Sequence, residues 1–127
     1  MSLSDWWDQN QEEIGSIREF INSLPRVKDN PVARREMMCR APGYFDRASS
    51  LAAEANGLYR VALASSWPTD GSAEQKKKQC EAASHKEEVM RDSMKGLVKS
   101  IDHLIELCRT ISGDDRVAFR ATGLQGG

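Results

Sequence analysis

Apolar positions recur in steps of three and four from Ala73 to Ile111. They place Ala73, Cys80, Ala83, Met90, Met94, Leu97, Ile101, Leu104, Cys108 and Ile111 on one seam, interrupted by Lys76 and Glu87. Such a stripe is the mark of an amphipathic helix with a coiled-coil period. The stretch has no proline, Gly96 is its one interior glycine, and its outward positions are mostly charged or Ser. One long helix over 73–111 is therefore predicted.

A second seam precedes it. Ala41, Ala48, Ala55 and Ala62 stand seven apart and interleave with Tyr44, Leu51 and Leu58, so small and large residues alternate on one face of a predicted helix over 43–66. Turn formers fill the next stretch, Ser66-Trp67-Pro68-Thr69-Asp70-Gly71-Ser72, and Ser72 is placed to cap the long helix. So short a connection predicts antiparallel neighbours. Pairing residues whose numbers add to 138 sets Leu58 against Cys80, Ala55 against Ala83, Leu51 against Glu87 and Ala48 against Met90, seam to seam.

Upstream, Trp7, Ile14, Ile17, Ile21 and Leu24 recur at helical spacing, with Trp6 and Phe20 beside them. Ser4 is a candidate cap for a helix over 4–23, with Asp5 and Asp8 in its first turn. Pro25 ends that helix, because proline disfavours helical backbone in the residue before it. Asn30-Pro31 then signals a new start, with Asn as cap and Pro in first place, for a short helix over 31–41. Pro42-Gly43 predicts a break or sharp kink, since proline removes a hydrogen bond and crowds the preceding turn.

These elements define an all-α fold: a long antiparallel helical hairpin, coiled-coil-like, with one or two further N-terminal helices. A helix over 73–111 would span about 58 Å, whereas a compact chain of this length has a radius of gyration near 14 Å. An elongated protein is predicted. Ile101, Leu104, Ile105, Cys108 and Ile111 continue past the preceding helix and are expected to form a homo-oligomer interface. The helical domain covers 1–112, and 113–127, with Phe119 between Arg116 and Arg120, is expected to be a flexible C-terminal tail.

Composition adds few constraints. Apolar residues make up 39% and charged residues 29% of 127, the balance of an ordinary folded chain. The net charge of −1 implies no global attraction to nucleic acid or membrane, so binding to either would need a local patch. Cys39, Cys80 and Cys108 form an odd set, two of them on the seam, which fits a reducing, cytoplasmic setting. No apolar run approaches the roughly 18 residues of a membrane-spanning helix.

Signs of catalysis are missing from the pattern. Neither His85 nor His103 has a glutamate three residues before it, as a di-iron bundle needs, and no Cys-x-x-Cys or glycine-rich phosphate loop occurs. Arg91 to Leu97 resembles part of the histidine phosphotransfer signature, yet Asp92 stands where the phosphorylated histidine would be. No enzymatic activity, cofactor, metal or small-molecule substrate is expected. Binding chemistry is the better lead. Lys76, Lys77, Lys78 and Lys86, with Arg60 across the hairpin, make one end locally basic, although Glu74, Glu81, Glu87 and Glu88 lie among them. Trp67 and Tyr59 lie near enough in sequence to offer stacking surfaces for a single strand. Glu87, facing Leu51 in that register, is expected to lay its stem over the seam and expose its carboxylate.

The layout also resembles small phage proteins of the UvsY type, the recombination mediators of T-even phages. The likeness lies in an N-terminal helical lead, Ala55-x-x-Leu58-Tyr59-x-x-Ala62 near the end of one helix, the turn at Asp70-Gly71, the lysines from Lys76 to Lys78, and a final helix ending in Leu107-Cys108-Arg109-Thr110-Ile111. It covers roughly residues 42–120. The resemblance implies a ring-forming oligomer that binds single-stranded DNA and helps to load a recombinase. Where that family carries a basic pair before the turn, this chain has Arg60 alone. The expected function is thus a non-catalytic, oligomeric accessory protein of phage-type DNA recombination or replication. The alternative is a helical protein–protein interaction module such as a scaffold, adaptor or chaperone.

Overall fold

The structure, a computed structural model, describes the backbone of residues 1–126 and the side chains of residues 1–113. Six helices and no strand occur among the described residues: α1 Leu3–Gln9, α2 Gln11–Asn22, α3 Leu24–Val27, α4 Pro31–Ser65, α5 Ala73–Ala83 and α6 His85–Gly126. Two helices dominate. With 35 and 42 residues, α4 and α6 extend for about 52 and 63 Å.

Local chemistry sets the starts. Asn30 has extended backbone, and its Oδ1 accepts from the N–H groups of Val32 and Ala33, each at 3.1 Å, while Pro31 occupies the first helical position. Ser72 forms a reciprocal capping box with Gln75. The first cap is Ser2, whose Oγ accepts from Asp5 N at 3.1 Å, and not Ser4, which lies inside α1. Nor is the first helix continuous. It is interrupted at Asn10, whose side-chain amide donates to the Trp6 carbonyl at 2.8 Å and competes with the backbone ladder. Pro25 is tolerated in the first turn of α3, where its missing N–H would have no helical partner.

Pro42 neither ends nor divides the helix that holds it, contrary to the boundaries 31–41 and 43–66. An interior proline costs about 3 kcal/mol, and packing offsets it. Met37 and Ala41 are buried before Pro42 and Ala48, Leu51 and Ala55 after it, while Pro42 itself faces solvent. Each large buried side chain contributes about 1.5–3 kcal/mol, so a break that unseated either flank would cost more than the proline does.

The helix expected over 73–111 bends at Ser84, which separates α5 from α6. Ser84 is only 1% exposed, and its Oγ donates to the Cys80 carbonyl at 2.6 Å. A serine bonding back to the fourth residue before it tilts a helix. The ladder survives on both sides: Ser84 N donates to Cys80 O at 3.0 Å and Glu88 N to Ser84 O at 2.9 Å. At its other end α6 passes Ile111 and continues to Gly126, so the stretch expected as a tail is helical. The docking motif suggested around Phe119 lies outside the described side chains.

The core lies between α4 and α6 and is closed by the N-terminal helices. One cluster joins Leu3, Trp6, Ile14 and Ile17 to Leu51, Ala55 and Tyr59 of α4 and to Met94, Leu97 and Ile101 of α6. A second joins Phe20 and Leu24 to Met37, Ala41, Leu104 and Cys108. Partners on α4 fall in number as those on α6 rise, from Tyr59 with Arg91 to Arg34 with Ser112. The register differs from the one read from the seams. Leu63, Tyr59 and Arg34 meet Cys80, Arg91 and Ser112 instead of Gln75, Gln79 and Leu104, a shift of five to twelve residues. Ala83, given a buried partner in that register, is exposed.

The shift matters for the supposed oligomer seam. Ile101, Leu104 and Cys108 are buried within one chain, and Ile105 and Ile111 are half-buried. Leu104, Ile105 and Cys108 pack against Phe20, Leu24, Met37 and Ala41, and Ile101 lies in the first cluster.

Candidate functional site

The basic positions read from the sequence gather toward one end of the molecule, where α4 stops and α5 begins. Ser65 and Ser66 turn their hydroxyls onto the carbonyls of Val61 and Ala62, at 2.9 and 2.8 Å, as the last turn closes. Trp67-Pro68 leads out. The chain reverses through Gly71, whose φ of +112° is a conformation that side chains resist. A Cβ there would also lie 3.1 Å from Gln75 Oε1, part of the capping box that starts α5.

On this end Arg60, Lys77, Lys78 and Lys86 are exposed, while Lys76 is half-buried beside the α5 seam. Three consecutive lysines cover about 200° of helix circumference. They therefore ring α5 instead of lining one face of it. Carboxylates temper them: Lys78 Nζ lies 3.7 Å from Glu74 Oε1, with both groups well solvated. Trp67, in the turn that precedes α5, is 49% exposed. Tyr59 is buried, and the Arg91 guanidinium covers its ring at 4.1 Å from the centroid, so it offers no stacking platform. Arg91 is held in that place by Asp92 Oδ1 at 3.0 Å.

Two further features depart from the seam pattern. Glu87 does not deliver its whole carboxylate to water: Oε2 is buried without a hydrogen-bond partner among the described residues. Val61 is 63% and Val89 51% exposed, apolar groups that sequence reasoning passed over. Both fall off the seams, and that position was the available signal.

Other candidate chemistries find no gathering point. No group of three His, Cys, Asp or Glu suited to a metal ion occurs among the described residues. His85 lies 3.9 Å from Glu88, and His103 is exposed eighteen residues further along α6. All three cysteines are free, Cys39 exposed and the other two buried. Burial pushes the Cys108 thiol above its ordinary value, with the Arg34 guanidinium opposing. No helix among the described residues is long and apolar enough to cross a membrane.

This end thus carries exposed ammonium and guanidinium groups on α4, α5 and the start of α6, with an exposed indole in the connecting turn. Comparison with family models, with curated proteins and with solved structures returns no match.

Proposed function

We propose that this protein is a non-catalytic accessory factor that binds single-stranded DNA at the end where α4 meets α5. In this scheme α4 and α5–α6 form the two limbs of an antiparallel helical hairpin, with the turn at Trp67–Ser72 as its working tip. The observation that carries it is the half-exposed Trp67 in the turn after α4, with Lys77 and Lys78 exposed on the helix that follows that turn. Stacking of one base on an aromatic ring contributes about 1–3 kcal/mol, and ammonium groups track the phosphates. Neither homo-oligomerisation nor a recombinase partner is needed for it.

Fluorescence anisotropy with a labelled oligothymidine at low salt tests the scheme. Trp67→Ala is expected to weaken binding about tenfold. Replacing Lys77 and Lys78 by Gln should reduce the salt slope by about 1.4, the value for two phosphate contacts on a single strand. Absence of binding at tens of micromolar protein, or binding indifferent to all three changes, overturns it. A second reading, docking of a protein, is favoured by the exposure of Val61, which lines a surface with Met1, Trp6 and Leu58. Val61→Ser separates the two, since it removes an apolar contact without adding charge and leaves the DNA affinity in place.

A further inference from the structure

Arg60 is the one charged residue between Glu54 and Asp70. It is exposed, and among the described residues neither it nor Lys77 forms an ion pair. Glu54, the nearest acid before it on α4, accepts instead from the Trp6 indole at 3.0 Å. The end of α4 thus carries a guanidinium that no described carboxylate pairs with. Its position mirrors that of the lysines. Arg60 lies five residues before the end of α4 at Ser65, and Lys78 five residues after the start of α5 at Ala73. By the rise of a helix, each cation is about 7.5 Å from the turn that joins the two, and the half-exposed Trp67 lies in that turn. A single strand whose phosphates meet Lys77 and Lys78 runs along α5 and leaves Arg60, on the other helix, without one.

We infer that the tip binds a DNA fork, the junction at which two single strands leave a duplex. This rests on the reading of the tip as a single-strand site and extends it to a second strand. One strand follows Lys77 and Lys78 on α5, the other passes Arg60 on α4, and the Trp67 ring stacks on the last base pair where the two part. Every base offers a face on which an indole can stack. A side chain set against a base step must unstack it inside a duplex, and that costs least where pairing already ends. Cations on both helices with the aromatic ring in the turn between them therefore suit a point of divergence.

Anisotropy titrations of the full-length protein against three labelled DNAs test it: a duplex with two unpaired thymidine arms, an oligothymidine of one arm's length, and the same duplex with blunt ends. The fork is expected to bind about fivefold more tightly than either of the others. Arg60→Gln changes an exposed position, and circular dichroism verifies its fold. It should abolish the preference, keep the affinity for oligothymidine and lower the salt slope on the fork by about 0.7–0.9, the value for one phosphate. Arg60→Lys keeps the charge and should keep the preference. Three outcomes overturn the inference while oligothymidine binding upholds the single-strand reading: equal affinity for fork and oligothymidine, equal affinity for fork and blunt duplex, or an Arg60→Gln loss as large on oligothymidine as on the fork. Binding to none of the three DNAs overturns both.

Discussion

The half of the molecule built on α1, α2 and α3 and the half built on α5 are unlike in what they bury. In the first, Ile14, Ile17, Met94 and Ile101 have essentially no exposed surface, and two clusters of apolar side chains meet across α4 and α6. In the second, Cys80 is the buried apolar residue of α5, and it donates its thiol to the Leu63 carbonyl at 2.9 Å. Stability is concentrated at one end, and exposed charge with an exposed indole at the other. A surface that meets partners gains from being thinly packed, because its side chains are free to adapt while the far end keeps the fold.

The sharpest way to break this contrast is truncation on each side. Ile101→Ala should cost about 2–5 kcal/mol in urea denaturation, and Val61→Ala less than about 0.5. Similar losses at both sites would mean that the tip is part of the core after all. Caps sharpen the comparison at smaller scale. Asn30→Ala should lower global stability by about 1 kcal/mol, because two N–H groups lose their acceptor and α4 anchors the core. Ser72→Ala should leave the global transition in place and accelerate amide exchange in α5 alone, read by hydrogen-exchange mass spectrometry.

Cysteine chemistry supplies a third measure. In the native protein iodoacetamide should modify Cys39 readily and spare Cys80 and Cys108 until unfolding, monitored by intact mass. The smallest effect is one of pH. Because burial raises the Cys108 thiol, the folded state keeps its proton where the unfolded chain begins to lose it. Stability attributable to this group is fully present below its ordinary pKa of 9.0 and is lost as pH rises beyond it. Cys108→Ala should flatten the alkaline decline in Tm.

Much of this was written in the residues themselves. The all-helical architecture, the Asn30-Pro31 start, the Ser72 cap and the turn around Gly71 follow from local chemistry that the chain states outright. What stayed hidden depends on neighbours. A seam that repeats every seven residues looks much the same after sliding by about one repeat, so apolar pattern alone could not fix how α4 lies on α6. Ser84 sits in Ala-Ala-Ser-His, a run with no breaker, and its bend comes from one buried hydroxyl. Pro42 was misjudged because its cost is local while the packing that outweighs it lies on both sides. The lysine tip was legible as charge, but Tyr59 lost its assigned part to Arg91, a partner more than thirty residues away.

Arg34, a buried guanidinium, donates to the Lys28 carbonyl and lies 3.5 Å from Ser112 Oγ, residues 78 positions apart along the chain. Contacts between the two long helices thus persist from that end up to Tyr59 and Arg91, and α5 continues them with Cys80 against Leu63. The peptide bonds between Ser66 and Ser72 are therefore expected to be dispensable once folding is complete. A protease nick there should yield two fragments that travel through a sizing column as one particle.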